Sequence, residues 1–148
     1  MSPQSKSIFL AVVSACLLSC AASAQPLICS TEMAAGIFFD RTSGRWKAGT
    51  GRPDAKYVLR QSHDAKLKYE VVKFGSKTTI GFCDQDFDQG TLRCAGVGFV
   101  FFFSKNDMRF LKTYTVGYWN ESSINSFSTK RREGADTPSM EAGTCAAL

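Results

Sequence analysis

Histidine is nearly missing from this chain: His63 is the only one in 148 residues, which excludes any site built from two histidines on one chain. No Cys-x-x-Cys spacing occurs and His63 is remote in sequence from every cysteine, so the usual zinc-ligand pattern is lacking. There is no Gly-x-Ser-x-Gly, no Gly-x-Gly-x-x-Gly and no Walker-type loop, which leaves serine hydrolase chemistry and nucleotide cofactors without support. No segment sustains a helical period, and there is no internal repeat or low-complexity tract. The longest apolar run, Ile8–Leu18, is 11 residues. Crossing a bilayer as a helix takes about 20.

What is present suits a folded globular domain. Hydrophobic residues make up 44% and charged residues 21%, with a mean hydropathy of −0.11. Lys and Arg number 18 against 13 Asp and Glu, a net charge of +5. Residues 1–24 read as a secretory signal: Lys6 supplies the positive start, Ile8–Leu18 the apolar stretch, and Ala22-Ser23-Ala24 the small-x-small cleavage site. Residues 25–148 then form a single domain, periplasmic or extracellular, with no transmembrane anchor after cleavage. Leu17-Leu18-Ser19-Cys20 resembles a bacterial lipobox, so lipid anchoring through Cys20 is the alternative.

Cys29, Cys83, Cys94 and Cys145 remain in the exported domain, an even number that predicts two disulfides. The pairing Cys83–Cys94 has a geometric reason. A hairpin centred between Asp88 and Gln89 places opposite each other residues whose numbers sum to 177, and 83 and 94 do so. The same register predicts an ion pair between Asp84 and Arg93. Cys29–Cys145 follows by elimination and would pin the last strand against the first; the two other connectivities stay open.

Short runs rich in Val, Ile, Phe, Tyr and Thr predict strands over 36–39, 45–48, 56–60, 68–74, 78–83, 91–95, 98–103, 108–119 and 139–145. Clusters such as Thr42-Ser43-Gly44, Gly75-Ser76-Lys77 and Ser104-Lys105-Asn106-Asp107 separate them. Ser30–Ala35 reads as one short helical turn capped by Ser30, and 120–137 as a long polar loop. The fold class is all-β: a meander of hairpins closed into a small antiparallel β-barrel or a two-layer sandwich. In Phe99-Val100-Phe101-Phe102-Phe103 large apolar side chains fall on both parities. That fits a central strand covered on both sides, or a barrel lumen or exposed groove that holds a ligand.

Few residues suggest chemistry. His63, beside Asp64, could serve as a general base with Glu70, as in small secreted nucleases, but no motif joins them. Asp84, Asp86 and Asp88 could offer carboxylates to calcium, although the EF-hand positions for Gly and Glu are filled by Gln89 and Ala95. Arg41, Arg45, Lys47, Lys56, Arg60, Lys66, Lys68 and Lys73 form a candidate basic face for an anionic envelope component or a secreted protein. Nucleic acid is a poor match for an exported chain, and no cofactor is implied. Gly44-Arg45-Trp46 is similar to the Gly-x-Trp signature near the start of lipocalin barrels, which implies an eight-stranded ligand-binding barrel. The residues point first to a non-enzymatic binding or envelope-interaction module, including an inhibitor. A hydrolase using His63 and Glu70, or a carrier of a small apolar ligand in a barrel lumen, are the alternatives.

Overall fold

The computed structural model describes residues 25–118 and 137–148. The signal expected over 1–24, including Cys20, lies outside the described residues, as does all but the last residue of the polar loop expected over 120–137. Nine strands are present: β1 (Leu27–Asp40), β2 (Arg45–Thr50), β3 (Lys56–Gln61), β4 (Tyr69–Lys73), β5 (Thr79–Cys83), β6 (Thr91–Gly96), β7 (Phe99–Ser104), β8 (Arg109–Tyr114) and β9 (Ser139–Ala147). Among the described residues there is no helix, and so none long and apolar enough to cross a membrane.

Every pairing is antiparallel, and β9 pairs back onto β1, so β1 and β3–β9 close an eight-stranded barrel. Closure removes the open sheet edges that a sandwich would keep. The far half of β1 runs past the ring and pairs with β2 as a two-stranded arm, from Ala35↔Thr50 to Asp40↔Arg45. Side-chain alternation then divides each barrel strand into inward and outward sets. Phe101, Phe103, Leu92, Val71, Leu59, Tyr57 and Phe110 point inward and are buried in one cluster. Phe101 and Phe110 stack with ring centroids 5.1 Å apart, and Tyr57 meets both edge-on at 5.9 Å.

The two disulfides are Cys83–Cys94 and Cys29–Cys145, all four cysteines being buried in that cluster. Each bridges directly opposed positions on adjacent strands. Cys29↔Cys145 lies on the β1–β9 seam, and Gly81↔Gly96 and Phe82↔Ala95 carry the sum of 177 toward Cys83 and Cys94. The seam bridge spans 116 residues and the hairpin bridge 11. In the chain-entropy model these are worth about 5 and about 3 kcal/mol, so the seam bridge is the stronger staple.

Three local expectations are overturned. Ser30–Ala35 is not a helical turn but the middle of β1, because its backbone groups are needed by β9 on one side and by β3 and β2 on the other. A bulge at Glu32, between Thr31↔Gly143 and Met33↔Ala142, absorbs the local misfit and brings the two strands close. A Cβ at Gly143 would sit 2.0 Å from the Ser30 carbonyl oxygen, so only glycine fits there. The strand expected over 108–119 ends at Tyr114. Asp84 and Arg93 do not form an ion pair: both are exposed, and the 84–90 connection turns its acidic side chains to solvent.

Candidate functional site

The barrel has two unlike ends. At one end lie the start of β1, the end of β9 and the connections 62–68, 84–90 and 105–108. Phe87 folds over this end and packs on Tyr69 at 5.4 Å and Phe103 at 6.1 Å, with the Lys105 ammonium over its ring. This end is closed. At the other end lie the β1–β2 arm and the connections 51–55, 74–78 and 97–98. Here the lumen opens into a cavity of about 530 Å³.

The cavity floor is polar. Lys112 lies two residues beyond inward Phe110, and Glu141 lies four before inward Cys145, so both point into the barrel. They face each other across the β8–β9 ladder, and Lys112 Nζ donates to Glu141 Oε1 at 2.8 Å. Tyr57 donates its hydroxyl to Glu141 Oε2 at 2.5 Å, and Thr31 Oγ1 lies 3.5 Å from the same oxygen. The Lys112 ammonium also sits over the rings of Tyr57 (5.3 Å) and Phe99 (5.5 Å). Burial, then the Glu141 hydrogen bond and charge, push the Tyr57 hydroxyl well above the ordinary tyrosine range. Phe38, Ile80, Phe99 and Tyr114 make the walls, and Arg52, Asp54 and Lys73 line the rim. Phe99 reaches its place only because residue 96 is glycine: a Cβ there would come within 2.2 Å of the ring.

Every buried polar side-chain atom among the described residues has a partner. The Glu141 carboxylate is engaged on both oxygens, while Lys112 spends one donor on Glu141 and turns its charge toward aromatic faces. A lysine so placed can still donate to an anionic or polar group entering the cavity. A polar floor inside an apolar wall is the arrangement that fixes the orientation of a small molecule in a pocket.

The residues singled out in the sequence lie elsewhere. His63 is exposed in the 62–68 connection at the closed end. Glu70 is buried on the outside of the barrel wall, where Arg60 Nε donates to it at 2.7 Å and Thr79 Oγ1 at 3.0 Å. No hydrogen bond or ion pair joins His63 to Glu70 among the described residues. Asp84, Asp86 and Asp88 are exposed, and among the described residues no three His, Cys, Asp or Glu side chains converge on a cation position.

The basic residues separate into groups. Arg41, Arg45 and Lys47 are on the arm, where Lys47 is paired with Asp40. Lys56 and Lys73 are at the open end, Arg60 is held by Glu70, and Lys66 and Lys68 are at the closed end. Trp46 sits on β2, outside the ring of barrel strands, between Phe39 and Tyr118 at 5.4 Å each. The Gly-x-Trp resemblance therefore does not fall on a barrel strand.

Sequence reasoning missed Lys112 and Glu141. The signal was the alternation Phe110-x-Lys112-x-Tyr114 and Glu141-x-Gly143-x-Cys145, which sets each charge on the parity of a core residue. Comparison with protein families, with curated proteins and with solved structures finds no match for this chain.

Proposed function

We propose that the protein is a non-enzymatic binding module of an oxidising compartment, the periplasm or the exterior, that holds a small organic ligand in the open half of its barrel. The ligand has an apolar or aromatic body, to lie against Phe38, Phe99 and Tyr114, and an anionic or strongly polar head, to meet Lys112. The observation that carries this reading is the half-filled lumen: aromatic side chains and two disulfides pack one half, and a cavity of about 530 Å³ with an inward ion pair occupies the other. Sites for drug-sized ligands have about that volume, an apolar lining and a few polar groups that set orientation. The disulfides support an oxidising destination. A hydrolase reading draws no support from the contacts of its residues: His63 is exposed in the 62–68 connection, and the Glu70 carboxylate is held by Arg60 and Thr79.

The test uses anilinonaphthalene sulfonate, an aromatic anion, as the probe. Fluorescence titration should show one saturable site per barrel with blue-shifted emission. Ala34→Phe, which fills the cavity from β1, should weaken binding at least ten-fold while the thermal melt stays cooperative. Binding that is absent, or indifferent to Ala34→Phe, would sink the reading.

A further inference from the structure

The outer surface of the barrel changes character from one end to the other. Along the rung nearest the open end the directly paired outward residues are Phe82, Ala95, Val100, Thr113, Met140 and Ala35, six strands in succession with no charge among them. Two rungs lower, at the closed end, the row is Thr91, Ser104, Arg109 and Thr144. The apolar character continues over the open rim. Phe74 and Val97 stand on the tips of the β4–β5 and β6–β7 turns, 53% and 95% exposed, and Ile37, Val116 and Met140 are also exposed around them. At the closed end the large exposed hydrophobic among the described residues is Leu148 alone.

Charge is divided along the same axis. The open-end segments 40–56, 73–78, 112–118 and 137–141 carry eight Lys and Arg against three Asp and Glu. The closed-end segments 62–68, 84–90 and 105–109 carry four against five. Two of the three open-end acids, Asp40 and Glu141, are already paired with lysines. One end of the molecule is thus both apolar at its tips and positively charged around them, and the other end is neither.

We propose that the open end of the barrel docks on a lipid bilayer whose surface carries anionic headgroups. The two properties act on different parts of such a surface. Phe74 and Val97 are short wedges that can enter the boundary between headgroups and acyl chains, where burying them removes apolar area from water. Arg45, Lys56 and Lys77, exposed around the same end, stay at headgroup level, where each cation near an anionic leaflet favours adsorption. A second copy of this chain would present the same positive end and be repelled. The barrel does not span the bilayer: most of its strands are 5–6 residues long, against the roughly 9–11 a spanning strand needs. The wall at β3–β4 also presents the Arg60–Glu70 pair. The inference does not require the cavity to be occupied.

The experiment is co-sedimentation of residues 25–148, the whole barrel, with vesicles of phosphatidylcholine alone and of phosphatidylcholine containing a third phosphatidylglycerol. Binding to the anionic vesicles only, weakening as salt is raised, is the expected result. Arg45→Glu with Lys77→Glu, neither of which lines the cavity, should lower partition roughly ten-fold or more while leaving probe binding in the cavity intact. Phe74→Ser with Val97→Ser should weaken it comparably, and the closed-end reversal Lys66→Glu with Lys68→Glu should leave it unchanged. No sedimentation with anionic vesicles would overturn the proposal. So would an equal loss from the closed-end reversal. A concentration-dependent dimer in analytical ultracentrifugation that Phe74→Ser with Val97→Ser dissolves would assign the apolar tips to a second copy instead.

Discussion

The closed and open halves of this barrel are made from the same strands, yet they do different work. In the closed half, inward positions hold aromatic and aliphatic side chains around four disulfide-bonded cysteines, and Phe87 plugs the end. In the open half the same inward parity holds Lys112, Glu141 and the ring of Phe99 around empty space. A small barrel needs only part of its lumen to supply a core, provided that part is well packed and cross-linked. The remainder is then available for polar groups that would be a burden in a core. The packed, cross-linked core is concentrated at one end and the cavity at the other.

That contrast can be broken by substitution. The largest difference is expected between Phe101 and Phe38. Phe101→Ala removes a fully buried ring from the closed half and should cost about 3–5 kcal/mol in urea unfolding. Phe38→Ala, on the cavity wall, should cost about 1 kcal/mol or less, because its ring is only partly buried and a neighbouring space already exists. Equal losses would mean that the open half carries as much of the core as the closed half.

A smaller effect concerns Tyr57, which joins the two halves. Its hydroxyl ionises less readily folded than unfolded. The resulting stabilisation is fully present below the unfolded tyrosine value of about 10 and is lost as pH rises through the folded value, the unfolded chain being the first to release its proton. Stability should therefore decline above about pH 10, and Tyr57→Phe should flatten part of that decline, measured as urea midpoint against pH. The smallest effect belongs to the arm. Asp40 accepts from the Thr42 amide at 2.9 Å and from Ser43 Oγ at 2.8 Å, and pairs with Lys47. Lys47 first, then these hydrogen bonds, hold its carboxyl well below the ordinary range. Asp40→Asn should speed amide exchange at Thr42 and Ser43 while leaving the global melt and the cavity unchanged.

Much of the fold was legible from local pattern. The hairpin register around Cys83 and Cys94 followed from numbering alone, since antiparallel pairing keeps the sum of opposed residue numbers constant. The two faces of β7 were not legible: large apolar side chains on both parities suggested a strand covered on both sides, whereas Phe101 and Phe103 are core and Phe102 is more than a third exposed, with no second layer over it among the described residues. The Ser30–Ala35 segment was misread because Glu, Met and Ala favour helix locally, and only the demands of three neighbouring strands outweigh that preference. The candidate site was hardly legible. Lys112 and Glu141 are 29 residues apart, on strands whose pairing depends on how the barrel closes.

From its residues alone the chain specified an all-β meander and two cross-links, because side-chain alternation, turn chemistry and cysteine positions act over short spans or through a small set of pairings. Only the closed barrel decided which half of the lumen is filled, which lysine meets which glutamate, and that apolar tips and positive charge share one end. Those outcomes depend on strands brought side by side from distant parts of the chain, and no local pattern encodes where a ring of eight strands meets itself.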